Sequence, residues 1–429
     1  MNISAQGAVV QRANYFKWQS LPSWCIGGGG GLCLLGLALS FARHHNLKQF
    51  GYSWLLAFMF WLSIVLGALF LVMMHHLFDA AWSVPLRRFC EHLTCLLYPW
   101  LLAFFLPVAL LAPEIYSWIG RTARPDHSLH AKWPLFTMPM YYATAGLCFG
   151  VWWFLAARLR FWSLKQDETG SADCTYRMRL HSGWGIVAYA LTLTLGAIMW
   201  MKALQYHWYS TMYGVYYYAG CVWVALAVVY LIAAALDHRG LLYETMRGEQ
   251  YYFIGSLLLA FTVFSAYIHF GQYFVIWNGN IPEETFWYVV RERGTWFAIG
   301  VVLVFGHFAV PFLALLRIDV KLVGPYMVPL CAWVALMQYF DLAFNITPAL
   351  HPDGFPLRWC WLDAGCIAFM GGVLAKAFLG DLHAHPVLPI KDPRLSEAVG
   401  LYRVPTPGFD PAAGGLSLGD GLISDAEHQ

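Results

Sequence analysis

Thr262, Ser265, His269 and Gln272 recur inside one apolar stretch, and steps of three, four and three place them on one helix face. A second apolar stretch carries Gln338, Asp341 and Asn345, again on one face, and two more contribute His307 and Asp363. An imidazole beside a carboxylate takes up and releases protons near neutrality. The chemistry open to this set is proton acceptance and hand-over, along a relay of His269, Gln272, His307, Gln338, Asp341 and Asp363. A second set, His75, His76 and Asp79, closes another apolar stretch. Glu91 and His92 open the next, and Lys376 falls on the same side. His75 and Asp79 stand four apart, a spacing at which helix side chains pair directly.

The elements that must position these residues are long and apolar. The chain has 429 residues, 59% hydrophobic and 12% charged, with a mean hydropathy of +0.54. Soluble domains carry about 25% charged residues, so the composition predicts a polytopic membrane protein. About 20 apolar residues cross a bilayer, and spans are expected at 23–42, 52–78, 90–112, 134–157, 182–204, 214–236, 251–277, 295–316, 324–346 and 360–380. These runs are too long and continuous for barrel strands of about 10 residues. The expected fold is an all-α integral membrane protein of ten helices, with two four-helix groups flanked by one helix at each end. Residues 1–22 form a polar N-terminal segment, 23–380 the membrane domain, and 381–429 an extended C-terminal tail. That tail is rich in Pro, Gly and Asp, and is expected to lie against a partner subunit or to lack fixed structure. No cleavable signal peptide is expected before the first span. Gly27 to Gly31 predict a tight helix contact rather than a phosphate loop.

An ionisable group inside a span costs about 2.5–3.5 kcal/mol on insertion scales, so repeated placement marks positions that a proton, ion or ligand uses. At about 1.5 Å per residue, His269, Gln338 and Asp341 fall near one end of their spans and His307 nearer the middle. Plainer readings stand beside the relay. Ser and Thr in spans bond their own carbonyls, His307 suits an interhelical hydrogen bond, and His75, His76, Asp79 and Lys376 lie within snorkelling reach of the interface.

Other classes receive less support. A net charge of +2 does not suggest nucleic acid. The 21 Trp, 24 Tyr and 30 Phe fit interfacial anchoring belts. Ten cysteines include no Cys-x-x-Cys, so ordinary iron–sulfur ligation or c-type haem attachment in this chain is not expected. His269 and His307 are a single candidate pair for a b-type haem. Basic residues set the orientation: sixteen, among them Arg87, Arg88, Arg160 and Arg394, fall on the side of both termini, and eight, among them Lys132, Arg291 and Arg358, on the other. This asymmetry predicts both termini in the cytoplasm.

Four segments carry a family resemblance. They are Ala81-Trp82-Ser83-Val84-Pro85-Leu86-Arg87-Arg88, the run Trp277-Asn278-Gly279-Asn280-Ile281-Pro282-Glu283-Glu284-Thr285-Phe286-Trp287-Tyr288, Gly306-His307-Phe308-Ala309-Val310-Pro311-Phe312, and Pro386-Val387-Leu388-Pro389-Ile390-Lys391-Asp392-Pro393-Arg394. Together they resemble the ActF-type membrane subunit of alternative complex III, a relative of the NrfD/PsrC-like anchors. The resemblance runs from about residue 50 to 400. It implies a bacterial inner-membrane, multi-pass subunit of a quinol:cytochrome c oxidoreductase, with no redox cofactor of its own and not catalytic alone. It also implies partners: a homologous quinol-binding membrane subunit, an iron–sulfur protein and c-type cytochrome subunits, which would hold the clusters and haems. The relays at the two ends, periplasmic and cytoplasmic, would then be half-channels in a respiratory electron-transport assembly. Two rivals stay open. The chain can itself be the quinol-binding subunit, or it can be a secondary transporter, although no matched pair of interrupted helices stands out in two halves.

Overall fold

The computed structural model describes residues 20–42, 47–120, 127–242 and 245–400. Among the described residues there is no strand, and ten helices are long and apolar enough to cross a membrane. They are α1 (Ser20–Ala42), α2 (Lys48–Leu77), α3 (Ala81–Leu110), α4 (Met138–Thr169), α5 (Ala172–Trp200), α6 (Tyr213–His238), α7 (Gly248–Gly279), α8 (Gly294–Leu315), α9 (Gly324–Ile346) and α10 (Cys360–Ala384). By fold the chain is a multi-pass, all-α membrane protein, as expected.

α2 is apolar on every side and buried along nearly its whole length. A helix with no polar face belongs in the middle of a protein. Around it α2 to α5 form one bundle, α6 to α9 form the second, and α2 crosses α6 where the two meet. A Cβ at Gly67 would stand 2.1 Å from the Cys221 carbonyl oxygen, so only glycine permits that crossing. α1 and α10 pair with each other and lie against α2. In the glycine run, a Cβ at Gly29 would meet the Phe369 backbone nitrogen at 2.5 Å, whereas Gly27, Gly28 and Gly31 face open space. The tight contact expected of five residues therefore belongs to the middle of the run.

Two helices are interrupted. In α3 the turn at Leu97–Leu101 is wide, and Tyr98 is extended at φ −133°, ψ 131°; the proline that follows disfavours a helical conformation there. In α8 a wide turn spans Leu303–Ala309 and carries His307. The Gly306 carbonyl within that turn accepts from the Trp333 indole at 2.8 Å. The breaks fall in the second helix of one bundle and the third of the other, which is not a matched pair.

The sequence boundaries shift most where helices continue beyond the apolar runs. α3 begins well before residue 90, because Val84–Cys95 is helical and buries Arg87, Arg88 and Glu91. α4 runs on past Arg158, Arg160 and Lys165 to stop at Gly170, whose φ is +67°. The tail also departs from expectation. Residues 381–384 still belong to α10, and Val387, Asp392 and Arg394 are buried against the chain's own bundles. The rest of the tail, 401–429, and nearly all of the segment 1–22 lie outside the described residues.

Candidate functional site

Two polar groups sit at opposite ends of the bundles. One end gathers Arg87, Arg88, Arg160 and Arg394 and is called the basic end below. The other, the far end, holds His269 and Asp341.

At the far end α7, α6 and α9 converge. His269 Nε2 lies 3.1 Å from Asp341 Oδ1, and its Nδ1 lies 2.6 Å from the Ser265 carbonyl oxygen one turn earlier on α7. A carbonyl only accepts, so Nδ1 keeps its hydrogen. Nε2 and the carboxylate then share one further proton: it rests on the imidazole, giving an ion pair, or on the carboxyl, which donates back. Tyr216 of α6 donates to the same Asp341 oxygen. Its ring packs on the His269 ring at 4.0 Å between centroids. Asn345, one turn beyond Asp341, donates to the Tyr216 hydroxyl and to the Asp341 carbonyl, both at 2.8 Å, and accepts from Tyr213 at 3.2 Å. Asp341 and Tyr216 are buried, while the His269 side chain is 27% exposed.

The helix that follows α7 closes this end. Asn280 caps α7 at φ +45°, Pro282 starts the short helix Pro282–Arg291, and Glu283 and Glu284 fill its first turn. Proline at the first helical position and acids near the N-terminus suit a helix start. Arg291 then reaches the far-end carbonyls of α9, donating to Phe344 at 2.8 Å and Asn345 at 3.1 Å, with its guanidinium 3.4 Å from the Trp287 ring centre. Burial pushes its pKa down to about 9, so it stays charged at neutral pH.

The other predicted residues of this set separate. Gln272 accepts from Ser210 at 3.1 Å and donates to Tyr288 at 3.2 Å, between His269 and the far surface. His307 lies inward of His269, with ring centroids 5.5 Å apart, stacked on Trp223 at 3.8 Å. Its Nε2 and the Gln338 Oε1 are buried without a hydrogen-bond partner among the described residues. Amides hold hydrogen bonds but do not release protons, so Gln272 and Gln338 can position neighbours without carrying charge. Asp363 is not part of this group. It accepts from Tyr339 at 3.0 Å, on another face of α9, and stands with Ser53, Gln49 and His351 at the start of α2. The His269–His307 pair does not fit a haem: both ring nitrogens of His269 are committed, Nε2 to Asp341 and Nδ1 to the Ser265 carbonyl.

At the basic end the expected His75–Asp79 pair is not formed. α2 ends at Leu77 and Asp79 takes φ +53°, which removes it from the i, i+4 position. Asp79 pairs with Arg179 at 3.0 Å and Arg394 at 2.6 Å, and His75 Nδ1 meets Ser83 Oγ at 2.6 Å. Both nitrogens of buried His76 lack a hydrogen-bond partner among the described residues. Lys376 is exposed and lies two turns short of the α10 end. The centre of this end is Glu91, facing Arg87 at 3.1 Å, Arg88 at 3.0 Å and Arg160 at 3.2 Å. Arg87 also bonds Asp392 of the tail, and Arg88 bonds Asp167 of α4. His92 meets Arg160 at 3.2 Å.

Sequence reasoning counted Arg87, Arg88 and Arg160 as topology signals, and Arg87 and Arg88 also within a resembling segment, but not as site residues. The spacing Arg87-Arg88-x-x-Glu91 already allowed i, i+4 and i, i+3 pairs. It also passed over Tyr213 and Tyr216, although their three-residue step at the start of a span was visible. Between the two ends, Leu66, Leu69, Val222 and Leu226 are buried apolar side chains, and no hydrogen bond among the described residues links His307 to His75 or His76. Compared with known proteins, the chain matches no family model and no curated protein. Fold and site together define a multi-pass membrane protein, with ten spanning helices among the described residues and a buried carboxylate facing a partly exposed imidazole.

Proposed function

We propose that this chain is the proton-handling membrane subunit of a quinol-oxidising respiratory complex, an ActF-type subunit of alternative complex III. The observation that carries the proton role is the 3.1 Å contact between His269 Nε2 and the Asp341 carboxylate. The pair can switch occupancy without moving a helix, since Ser265 fixes one side of the imidazole and Tyr216 one side of the carboxylate. Asn345 donates to Tyr216 and accepts from Tyr213, so that branch passes through an amide and steadies the carboxylate rather than conducting. Protons enter at the partly exposed edge of His269, pass to Asp341, and have His307 as the next titratable group inward.

The resemblance of the four sequence segments supports the respiratory setting. In that setting the chain lies in the bacterial inner membrane with both termini cytoplasmic. The homologous membrane subunit binds quinol, and an iron–sulfur protein and c-type cytochromes hold the redox centres. The test is Asp341→Asn in the whole complex in proteoliposomes. Asparagine keeps the shape and the acceptor oxygen but cannot carry the proton. The expected result is fewer protons translocated per electron, with assembly and quinol oxidation retained. Unchanged proton stoichiometry would rule the role out.

A further inference from the structure

Where α1 packs on α10, Cys33 Sγ lies 3.6 Å from Cys366 Sγ, and among the described residues no other two cysteines meet. The two stand 333 residues apart in the chain, so local spacing does not force the meeting. Glycines let the two backbones close around it. A Cβ at Gly365 would stand 2.7 Å from the Leu32 Cβ, and one at Gly29 would stand 2.5 Å from the Phe369 nitrogen. Helices in such contact bring facing Cα atoms towards the separation of about 4.4–6.8 Å that a disulfide spans. Rotation of two short side chains then closes the gap between the sulfurs, to about 2.0 Å, without moving a helix.

The surroundings select the oxidant. Both cysteines lie inside spanning helices, Cys33 near the middle of α1 and Cys366 less than two turns into α10. Charged reagents are excluded from hydrocarbon at that depth. α1 turns Leu32, Leu34 and Leu35 outward, so acyl chains lie beside Cys33, which is 7% exposed, whereas Cys366 is fully enclosed. An oxidant dissolved among the chains meets Cys33 first, and Cys366 stands behind it. That is the arrangement of an attacking thiol with a resolving partner. No cation acts on either sulfur among the described residues, so the reaction is a slow modification and not a turnover.

We infer that Cys33 and Cys366 form an oxidation site, joined into a disulfide by a lipid hydroperoxide. The Cys33 sulfur attacks the terminal peroxide oxygen, the O–O bond breaks, and the lipid alcohol leaves with the thiol hydrogen. Cys33 is then a sulfenic acid. The Cys366 sulfur attacks the Cys33 sulfur, the S–O bond breaks, and the hydroxyl leaves as water with the Cys366 hydrogen. Two thiols lose two electrons in all, and one hydroperoxide is reduced to alcohol and water. The inference goes beyond the respiratory role and does not rest on it. The test places the full chain in nanodiscs containing a phosphatidylcholine hydroperoxide. Free thiols are then blocked with N-ethylmaleimide in denaturant, and the chain is digested without reductant. The expected product is a peptide pair joining Cys33 to Cys366, which dithiothreitol separates. The linked chain should also melt at a higher temperature, because the closed loop restricts the unfolded chain. In Cys366→Ser the sulfenic acid should persist on Cys33 and be trapped by dimedone. Copper–phenanthroline, a general thiol oxidant, is applied to the parent chain in parallel. No Cys33–Cys366 peptide with either reagent overturns the pairing. A link made by copper–phenanthroline but not by the hydroperoxide overturns the oxidant. Dimedone on Cys366 in Cys33→Ser, with none on Cys33 in Cys366→Ser, overturns the order of attack. Asp341→Asn should cross-link like the parent, which separates failure here from failure of the relay.

Discussion

The Ser265 carbonyl decides what His269 can do. It accepts the Nδ1 hydrogen, so the ring meets Asp341 through Nε2 alone. Tyr216 tunes that pair from the other side. Hydrogen bonds to charged groups are worth about 1.5–3 kcal/mol, so Tyr216→Phe, which removes a bond that favours the carboxylate, should slow proton release from the pair by about one to two orders of magnitude. The measurement is infrared difference spectroscopy. The carboxyl band that disappears in Asp341→Asn should move in Tyr216→Phe and stay in place in Tyr339→Phe, whose hydroxyl serves Asp363. A band that ignores Tyr216→Phe means that Tyr216 is not the donor.

Elements place those side chains through close approach and through breaks. The α2–α6 crossing is as tight as backbone allows at Gly67, and it brings the two bundles together. A methyl there has nowhere to go, because the atom it meets is a carbonyl oxygen and not a flexible side chain. Overpacking of this kind costs about 1–3 kcal/mol. Gly67→Ala should therefore lower the unfolding midpoint in detergent, while Gly28→Ala, facing open space, should not. Equal melting of the two variants would show that the crossing is looser than described. The wide turn in α8 matters in the same way: it sets His307 against Trp223 and spends the displaced Gly306 carbonyl on Trp333. Wide turns of this type recur at functional positions in helices.

Over the whole molecule, the tail ties the basic ends of the two bundles. Asp392 bonds Arg87 of α3, Arg394 bonds Asp79 after α2, Lys391 reaches the Glu168 carbonyl at 2.6 Å, and Gln250 of α7 donates to the Ala398 carbonyl at 2.9 Å. Burial works against the charged form of Asp392, but Arg87 and Arg394 outweigh it and hold its pKa below the ordinary carboxylate range. The sign follows from linkage. The contribution of Asp392 is complete above the unfolded carboxylate pKa and is lost as pH falls through the lower folded value. Hydrogen exchange of residues 386–400 should accelerate across that acid window. Asp392→Asn should show the same fast exchange already at pH 7, at a cost of about 1–3 kcal/mol. Exchange that is identical in the variant at pH 7 would mean that packing of Val387 and its neighbours, not the ion pairs, holds the tail.

The sequence by itself determined the ten apolar helices found among the described residues, and it singled out His269, His307 and Asp341, which the fold brings close together. Apolar length and helical spacing are local properties of a chain, so they survive being read one residue at a time. The five-glycine run announced a tight contact for the same reason, but not which glycine makes it. Only the tertiary structure decided who meets whom. It sent Asp363 to Ser53 and Tyr339, turned Asp79 away from His75 into the hands of two arginines, and brought Tyr216 onto Asp341. It also showed that Arg87, Arg88 and Arg160 are interior groups around Glu91 and not merely flanking charges. A buried charge is stable only beside its partners, and these partners come from helices far apart in sequence. Spacing along one helix cannot name them.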